Sequence, residues 1–163
     1  MLIISPTARV SKLADIEDSV RGTKILIEDD VVIDSFVRIK PVGGLGDVRI
    51  GRGSFINSGT VIFSGNGVDI GEHVLIAPNC TIAAANHDYR ERGKKIRDQG
   101  FLPSKGGIRI ERDVWIGANT VLLDGALLRE GCVVGAGSLV AGEVEPYSIN
   151  VGNPIRCIGH RVG

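Results

Sequence analysis

Hydrophobic residues recur every six positions in the second half of the chain. A large aliphatic side chain usually occupies this position, and the residue two places before it is mostly small or β-branched. Gly, Asn or Asp usually follows three places later, and these residue types most readily adopt a positive φ. Because side chains alternate along a strand, each repeat predicts a short strand with two inward side chains and then a sharp corner. The column comprises Ile110, Ile116, Leu122, Leu128, Val134, Val140 and Pro146.

The same period organises the first half of the chain, from Ala8 to Ile82, with short insertions near 41–46 and 64–67. No apolar pattern with a helical period extends beyond a turn or two. Three repeats complete a triangular turn of about eighteen residues, which predicts six or seven coils with flat walls. We therefore predict a single all-β domain, residues 1–163, with parallel strands coiled at about 8–82 and 108–148 and a short C-terminal tail at 149–163.

Residues 83–107 interrupt the repeat with a segment that is dense in charge and poor in apolar side chains. An insertion of about 25 residues in a compact domain is either disordered or functional. We expect a functional loop, because His, Asp, Tyr and Gln side chains lie beside its exit from a rigid wall.

Composition narrows the classes of function. Nineteen basic and nineteen acidic residues balance, which argues against a nucleic-acid binder held by a general positive field. No apolar run approaches the ~20 residues of a membrane span, and the N-terminus lacks the basic start of a signal peptide. We expect a cytoplasmic protein without membrane insertion. Cys80 and Cys132 fall on the small inward position, which predicts core packing rather than redox chemistry, and no metal site is expected.

The chain resembles the hexapeptide-repeat acyltransferases, especially the galactoside/maltose acetyltransferases and the O-acetyltransferases of bacterial surface-polysaccharide synthesis. The repeats carry this resemblance together with Val114–Asn119, Gly135–Ser138 and Gly152–Pro154, in that order. It covers roughly residues 48–158 and implies a left-handed parallel β-helix. The hand follows from the resemblance alone, since parallel crossovers are normally right-handed. The resemblance also implies acetyl-CoA as co-substrate, a sugar or nucleotide-sugar acceptor, and a homotrimer with active sites between subunits.

His87 matches the catalytic histidine of that family. A sugar hydroxyl is a poor nucleophile, and imidazole titrates close to neutral pH, so His87 is expected to act as the general base. His73 occupies a corner position and His160 lies in the tail, and neither is expected to be catalytic. A cysteine nucleophile is the competing mechanism, but Cys80 lies on the inward position. A backbone N–H at a corner of the facing wall is expected to stabilise the oxyanion.

The resemblance places Asn57 in the acceptor site, and a turn-stabilising role is the alternative. In the loop, Asp88 is expected to lie in the acceptor site and to fix the tautomer of His87, with solvated surface charge as the alternative. Other polar side chains of the loop are expected to contact acceptor hydroxyls, with solvated surface charge as the alternative. These are Tyr89, Arg90, Asp98 and Gln99.

The donor is expected on the wall formed by the last coils. Small side chains there let the pantetheine arm lie along the strands, and arginine suits the nucleotide phosphates. Residues 140–144 lack a lysine that the family often has near the nucleotide, so weaker phosphate contact is expected. The residues assigned to coenzyme A are Trp115, Gly117, Ala118, Gly135, Ala136, Ala141 and Arg156, and Arg161 is expected behind Arg156 at the end that meets the phosphates.

The predicted function is acetyl-CoA-dependent acetylation of a sugar hydroxyl in lipopolysaccharide or other surface-polysaccharide biosynthesis. An N-acetyltransferase of an amino-sugar nucleotide is the main alternative, since it would share the fold and the donor. A non-enzymatic scaffold and a metal-dependent carbonic anhydrase are further alternatives. The anhydrase needs three metal-binding histidines, whereas the three histidines of this chain are widely spaced.

Overall fold

A computed structural model describes residues 1–163 and shows a left-handed parallel β-helix with three flat walls. Six coils each add one parallel strand to every wall, and a partial seventh coil adds a strand to two of the walls, so the prediction of six to seven coils is confirmed. The strands are β1 (Leu2–Ile4), β2 (Arg9–Val10), β3 (Asp15–Ile16), β4 (Ile25–Ile27), β5 (Val32–Ile33), β6 (Arg38–Lys40), β7 (Val48–Ile50), β8 (Phe55–Ile56), β9 (Val61–Phe63), β10 (Val68–Ile70), β11 (Leu75–Ile76), β12 (Thr81–Ala83), β13 (Ile108–Ile110), β14 (Trp115–Ile116), β15 (Val121–Leu123), β16 (Leu127–Leu128), β17 (Val133–Val134), β18 (Leu139–Val140), β19 (Glu143–Val144), β20 (Ser148–Val151) and β21 (Arg156–His160).

Every third strand belongs to the same sheet. Sheet A has the order β1-β4-β7-β10-β13-β16-β19, sheet B has β2-β5-β8-β11-β14-β17-β20-β21, and sheet C has β3-β6-β9-β12-β15-β18. The chain runs from a strand of sheet A to sheet B, then to sheet C and back to sheet A. The molecule therefore has an A/B, a B/C and a C/A corner, each named after the sheets it joins.

The six-residue column forms the core. Consecutive coils pair in register, so that Ile62, Ile82 and Leu122 stack above one another, and all three are fully buried. Burying each such side chain contributes ~1.5–3 kcal/mol relative to leaving it exposed. Cys80 and Cys132 lie inside the same core with no more than 1% exposure, which confirms their inward placement. Burial raises the pKa of the Cys132 thiol to about 12, so the thiol is protonated at neutral pH.

The corners contain the predicted residues with positive φ, including Asn119 at 58° and Gly125 at 90°. His73 also adopts a positive φ, 55°. Its ring lies directly over Gly53 of the preceding coil, where an added Cβ would be only 2.6 Å from His73 Nδ1. Glycine at that position therefore makes room for the imidazole, and His73 has a structural role at the A/B corner.

The coil differs from the prediction at both ends. β1 lies before the predicted start, and its residues pair in register with β4 because Leu2 and Ile4 already follow the six-residue pattern. At the other end, residues 149–163 do not form a free tail. β20 continues sheet B to Val151, and β21 folds back to pair with it antiparallel, which covers the edge that β20 would otherwise expose.

Between β12 and β13 the chain leaves the coil as one loop that contains a single turn of 3₁₀ helix, Ile96–Asp98. No helix of the structure is long and apolar enough to cross a lipid bilayer. The loop emerges at the C/A corner, and its ends return to adjacent coils of the same corner.

Candidate active site

The loop begins with a short antiparallel stem that carries His87. The Asp88 N–H donates to the carbonyl oxygen of Gly100 at 2.9 Å, and the Leu102 N–H donates to that of Asn86 at 2.8 Å. Between these bonds, His87 and Phe101 form a bridge pair. The stem therefore holds His87 close to the coil rather than at the outer end of the loop.

The imidazole of His87 is exposed and stacks on the ring of Phe101, with ring centroids 4.7 Å apart and an interplanar angle of 29°. Both rings border an apolar cavity of about 340 Å³, whose other walls include Val42, Phe63 and Ala85. Stacking fixes the plane of the imidazole and leaves its nitrogen atoms without a partner in the chain. A group in this position can take a proton from a substrate that enters the cavity.

Asp88 does not contact His87 in the way that the sequence predicted. Its carboxylate forms two bonds with the guanidinium of Arg90, Nε to Oδ1 at 2.9 Å and Nη2 to Oδ2 at 2.5 Å. These bonds hold the pKa of the Asp88 carboxyl well below its usual range. The structure thus joins Asp88 to Arg90, two residues away, and leaves the His87 tautomer unconstrained by this carboxylate.

Gln99 supports the loop internally. Its Oε1 accepts from the Glu91 N–H, and its Nε2 donates to the carbonyl oxygens of Glu91 and Lys94, all at 2.9 Å. The amide is therefore committed to the loop rather than free to bind an acceptor. Of the other predicted loop contacts, Tyr89 is 65% exposed and Asp98 lies at the surface beside Arg97.

Asn57 lies at the B/C corner, just after β8. Its Nδ2 donates to the carbonyl oxygen of Ile76 in the next coil at 2.8 Å. This bond is the turn-stabilising role that the sequence left open. The side-chain oxygen has no partner in the chain, so an acceptor could contact Asn57 through this oxygen or through the second N–H of Nδ2.

Most residues assigned to the donor lie together on sheet B and the adjacent B/C corner. Trp115 points outward from β14 and is 53% exposed. The corner residues of consecutive coils pack closely, since a Cβ added to Gly117 would be 2.5 Å from the Ala136 nitrogen. Gly137 N–H donates to the Ala118 carbonyl oxygen at 2.8 Å. Gly135 lies in the same corner and completes this smooth surface.

The remaining donor residues are placed differently. Ala141 follows β18 and lies at the C/A corner, away from Trp115. Arg156 begins β21 at the end of sheet B, and its guanidinium contacts no carboxylate. Arg161 is less available, because its Nη1 bonds both the carboxylate of Asp113 at 2.8 Å and the carbonyl oxygen of Gly131 at 3.0 Å.

Within one chain, the candidate base and the candidate donor surface are on different edges of the prism. His87 is at the C/A corner, whereas Gly117 and Ala136 are at the B/C corner, and sheet C lies between the two. The chain therefore does not bring these two candidate surfaces together within one molecule.

One buried residue near the loop was not singled out by the sequence. Asp124 is 2% exposed, and its carboxylate accepts three hydrogen bonds, two from the returning end of the loop and one from Asn66 of an earlier coil. Its position follows the six-residue column by two, where earlier coils place Ser64 and Ala84, both fully buried. The sequence feature that could have identified Asp124 is a carboxylate at an inward position of the repeat. Because a glycine follows it, this pair of residues resembles an ordinary turn.

No group of three or more His, Cys, Asp or Glu side chains is arranged to hold a metal ion.

Comparison with known proteins gives consistent relatives. A family model described as bacterial transferase hexapeptide (six repeats) matches residues 107–142. The chain is 33% identical over 112 residues to the galactoside O-acetyltransferase of Escherichia coli (strain K12), an alignment that covers 69% of this chain and 53% of that protein. The galactoside O-acetyltransferase of Lactococcus lactis is 30% identical over 112 residues, which are 66% of this chain and 50% of that protein. The chain thus spans about half the length of these curated relatives.

Two solved structures share the coil. A hexapeptide-repeat acetyltransferase of Vibrio cholerae, complexed with acetyl coenzyme A, superimposes with a TM-score of 0.68 at 31% identity, covering 80% of this chain and 67% of that chain. A variant of the N-acyltransferase AntD of Bacillus cereus, in complex with dTDP-4-amino-4,6-dideoxyglucose and coenzyme A, gives 0.77 at 25% identity, covering 96% and 82%.

Proposed function

This chain belongs to the hexapeptide-repeat acetyltransferases, and we propose on that basis that it transfers the acetyl group of acetyl-CoA to a hydroxyl of a sugar. The observation that carries the proposal is the position of His87. An exposed imidazole, oriented by Phe101 at the mouth of a cavity, is the proton acceptor that this reaction needs. The acetyl coenzyme A bound by the Vibrio cholerae relative supports the choice of donor.

In the proposed reaction, a ring nitrogen of His87 takes the proton of the acceptor hydroxyl as its oxygen attacks the thioester carbonyl. The resulting tetrahedral intermediate carries negative charge on the former carbonyl oxygen, which a backbone N–H of the facing corner stabilises. When the intermediate collapses, the C–S bond breaks and the proton held by His87 passes to the departing thiolate. Direct transfer is preferred to a cysteine nucleophile, because Cys80 is buried in the core.

We infer a homotrimer in which the groove between two subunits forms the site. The outward face of sheet A carries ion pairs, such as Arg49 with Asp69 at 2.9 Å, and Glu143 of the same sheet pairs with Arg129, just after β16, at 2.7 Å. Sheet C differs, since most of its outward side chains from β9 to β18 are apolar. Such a wall is suited to burial against a neighbouring molecule. These side chains are Val61, Phe63, Ala83, Val121, Leu123 and Leu139.

A mixed-trimer experiment tests the shared groove. His87→Ala and Ala136→Trp each disable one side of the groove, so each homotrimer should be nearly inactive. Co-refolding equal amounts should restore sites in which both sides are intact. For random assembly with independent sites, each groove has about a one-in-four chance of combining an intact His87 side with an intact donor side. Activity should therefore approach roughly a quarter of the parent value.

The matched control for that mixture pairs His87→Ala with the double variant His87→Ala/Ala136→Trp, which cannot regenerate an intact groove. The activity measurement accompanies a check that differently tagged subunits have co-assembled. Verified mixed trimers without recovered activity would place both groups on one subunit.

Two acceptor classes are separated by the chemistry of the product. We favour a sugar hydroxyl because the galactoside O-acetyltransferases are among the relatives that share about a third of their aligned residues with this chain. AntD was solved with an amino-sugar nucleotide, and that observation favours an amine as the second candidate.

By resemblance we place the acceptor in lipopolysaccharide or other surface-polysaccharide biosynthesis. The three free cysteines suit a reducing compartment, the cytoplasm.

A screen of oligosaccharides, nucleotide sugars and amino-sugar nucleotides, with release of the CoA thiol as the readout, decides between the two classes. We expect turnover with an acceptor that lacks an amine and a product that loses its acetyl group in mild base, because esters hydrolyse there and amides do not. A base-stable product formed only from amino sugars would replace the hydroxyl by an amine. If no thiol is released with acceptors of either class, sugar acetylation is rejected.

A further inference from the structure

One buried carboxylate ties both ends of the loop to the coil. Oδ1 of Asp124 accepts from the Gly107 N–H at 2.9 Å, and Oδ2 accepts from the Lys105 N–H at 2.8 Å, where the loop returns. Oδ2 also accepts from Nδ2 of Asn66 at 3.0 Å. The N–H of Asn66 in turn donates to the carbonyl oxygen of Ala84 at 2.8 Å, where the loop departs.

The Asp124 carboxylate is surrounded by hydrogen-bond donors rather than by cationic side chains. No cationic side chain pairs with this carboxylate, since Lys105 contributes only its backbone N–H. A carboxylate that is withdrawn from water requires hydrogen-bond donors in return, and here two of the three donors belong to the loop. Ser64 and Ala84, at the same inward position of earlier coils, are uncharged. The acid therefore occurs in the coil that receives the returning loop.

These bonds act directly on the stem that carries His87. Only two residues separate Ala84 from His87, and the partner strand of the stem, which contains Phe101, ends shortly before Lys105. Gly107 packs so closely on the coil that an added Cβ would be 2.5 Å from the Gly67 carbonyl oxygen. The base of the stem is thus seated on the C/A corner with little freedom to move.

We propose that Asp124 is a positioning residue that sets the place of the His87 imidazole through the loop stem. This inference rests on the proposed role of His87 as general base. Asp124 touches neither His87 nor the cavity, and its effect passes through Lys105, Gly107 and the Asn66 link to Ala84. Because a displacement of about 1 Å can cost up to about a hundredfold in rate, loosening this base should lower turnover.

Asp124→Asn is the first test, since it keeps the shape and removes the charge and one acceptor oxygen. We expect kcat to fall about tenfold or more, with KM for acetyl-CoA close to the parent value because the Asp124 side chain is buried and offers the donor no contact surface. The matched control is Asp47→Asn. Asp47 lies at the same corner in an earlier coil, and its Oδ1 accepts from the Lys24 N–H at 2.7 Å. Its kcat should stay near the parent value.

A double-mutant cycle separates positioning from a merely structural role. In a His87→Ala background, Asp124→Asn should cause no further loss of the residual turnover, since there is no imidazole left to misplace. An equal fractional loss in both backgrounds would overturn the inference, and so would an unchanged kcat of Asp124→Asn in the parent. Parent-like turnover of His87→Ala would instead reject the proposed function itself.

If Asp124→Asn does not fold, Asn66→Ala takes its place in the same cycle, because it removes only the link to the departing end of the loop. A lowered kcat that vanishes in the His87→Ala background supports the inference. An unchanged kcat for this variant overturns it.

Discussion

Replacing His87 with alanine should lower turnover by about 10²–10⁴-fold at saturating acetyl-CoA and acceptor. The reaction would lose the group that takes the hydroxyl proton, while the coil would lose no buried contact, because the imidazole is exposed and stacks on Phe101 alone. The melting temperature should therefore remain close to the parent value. Thiol release measures the first quantity, and thermal unfolding followed by circular dichroism measures the second.

The matched control is His73→Asn, which removes a second histidine at a distance from the loop. Asparagine tolerates the positive φ of 55° at this corner, so the coil should be preserved and turnover should stay near the parent value. Near-normal turnover of His87→Ala, measured with both substrates saturating, would eliminate His87 as the base.

Replacing Cys132 with aspartate should destabilise the protein by ~3 kcal/mol or more. The thiol is fully buried among aliphatic side chains of the core, and Arg129, three residues earlier in the chain, is already paired with Glu111. The new group must either be buried as a charge or remain protonated at neutral pH, and both cost free energy. Urea denaturation of the parent and the variant measures the difference in the free energy of unfolding.

Cys157→Asp is the control for that experiment, because Cys157 is exposed on β21 and its replacement should change the free energy of unfolding little. A Cys132→Asp variant that unfolds at the same urea concentration as the parent would mean that residue 132 does not face the core.

The roles of the loop residues show where prediction from sequence reached its limit. The sequence correctly placed His87 at the exit of the loop, because the repeat stops visibly at that point. It predicted a contact between Asp88 and His87, whereas the Asp88 carboxylate is hydrogen-bonded to Arg90. It predicted that Gln99 contacts the acceptor, whereas the Gln99 amide is hydrogen-bonded within the loop. Outside the repeat, the neighbouring residues in the sequence do not determine which of several nearby polar groups a side chain will form a hydrogen bond with.

The repeat by itself determined the coil, the core and the corners. Each inward side chain and each positive φ depends on a few adjacent residues. Because the pattern recurs every six positions, the same local geometry is formed in each repeat. Stacking of such units then leaves one regular arrangement, so Ile82 and Cys132 could be assigned to the core from the pattern alone. The hand of the coil was not contained in the spacing and came from resemblance.

Only the tertiary structure decided which distant residues meet. Asn66 and Asp124 are 58 positions apart and two coils apart in the winding, yet they are hydrogen-bonded to each other under the loop. The assignment of His87 to the C/A corner and of Gly117 to the B/C corner likewise depends on how each strand enters its sheet. These contacts arise from the winding of the whole chain, since a six-residue period specifies what faces inward but not which coil receives an interrupting loop.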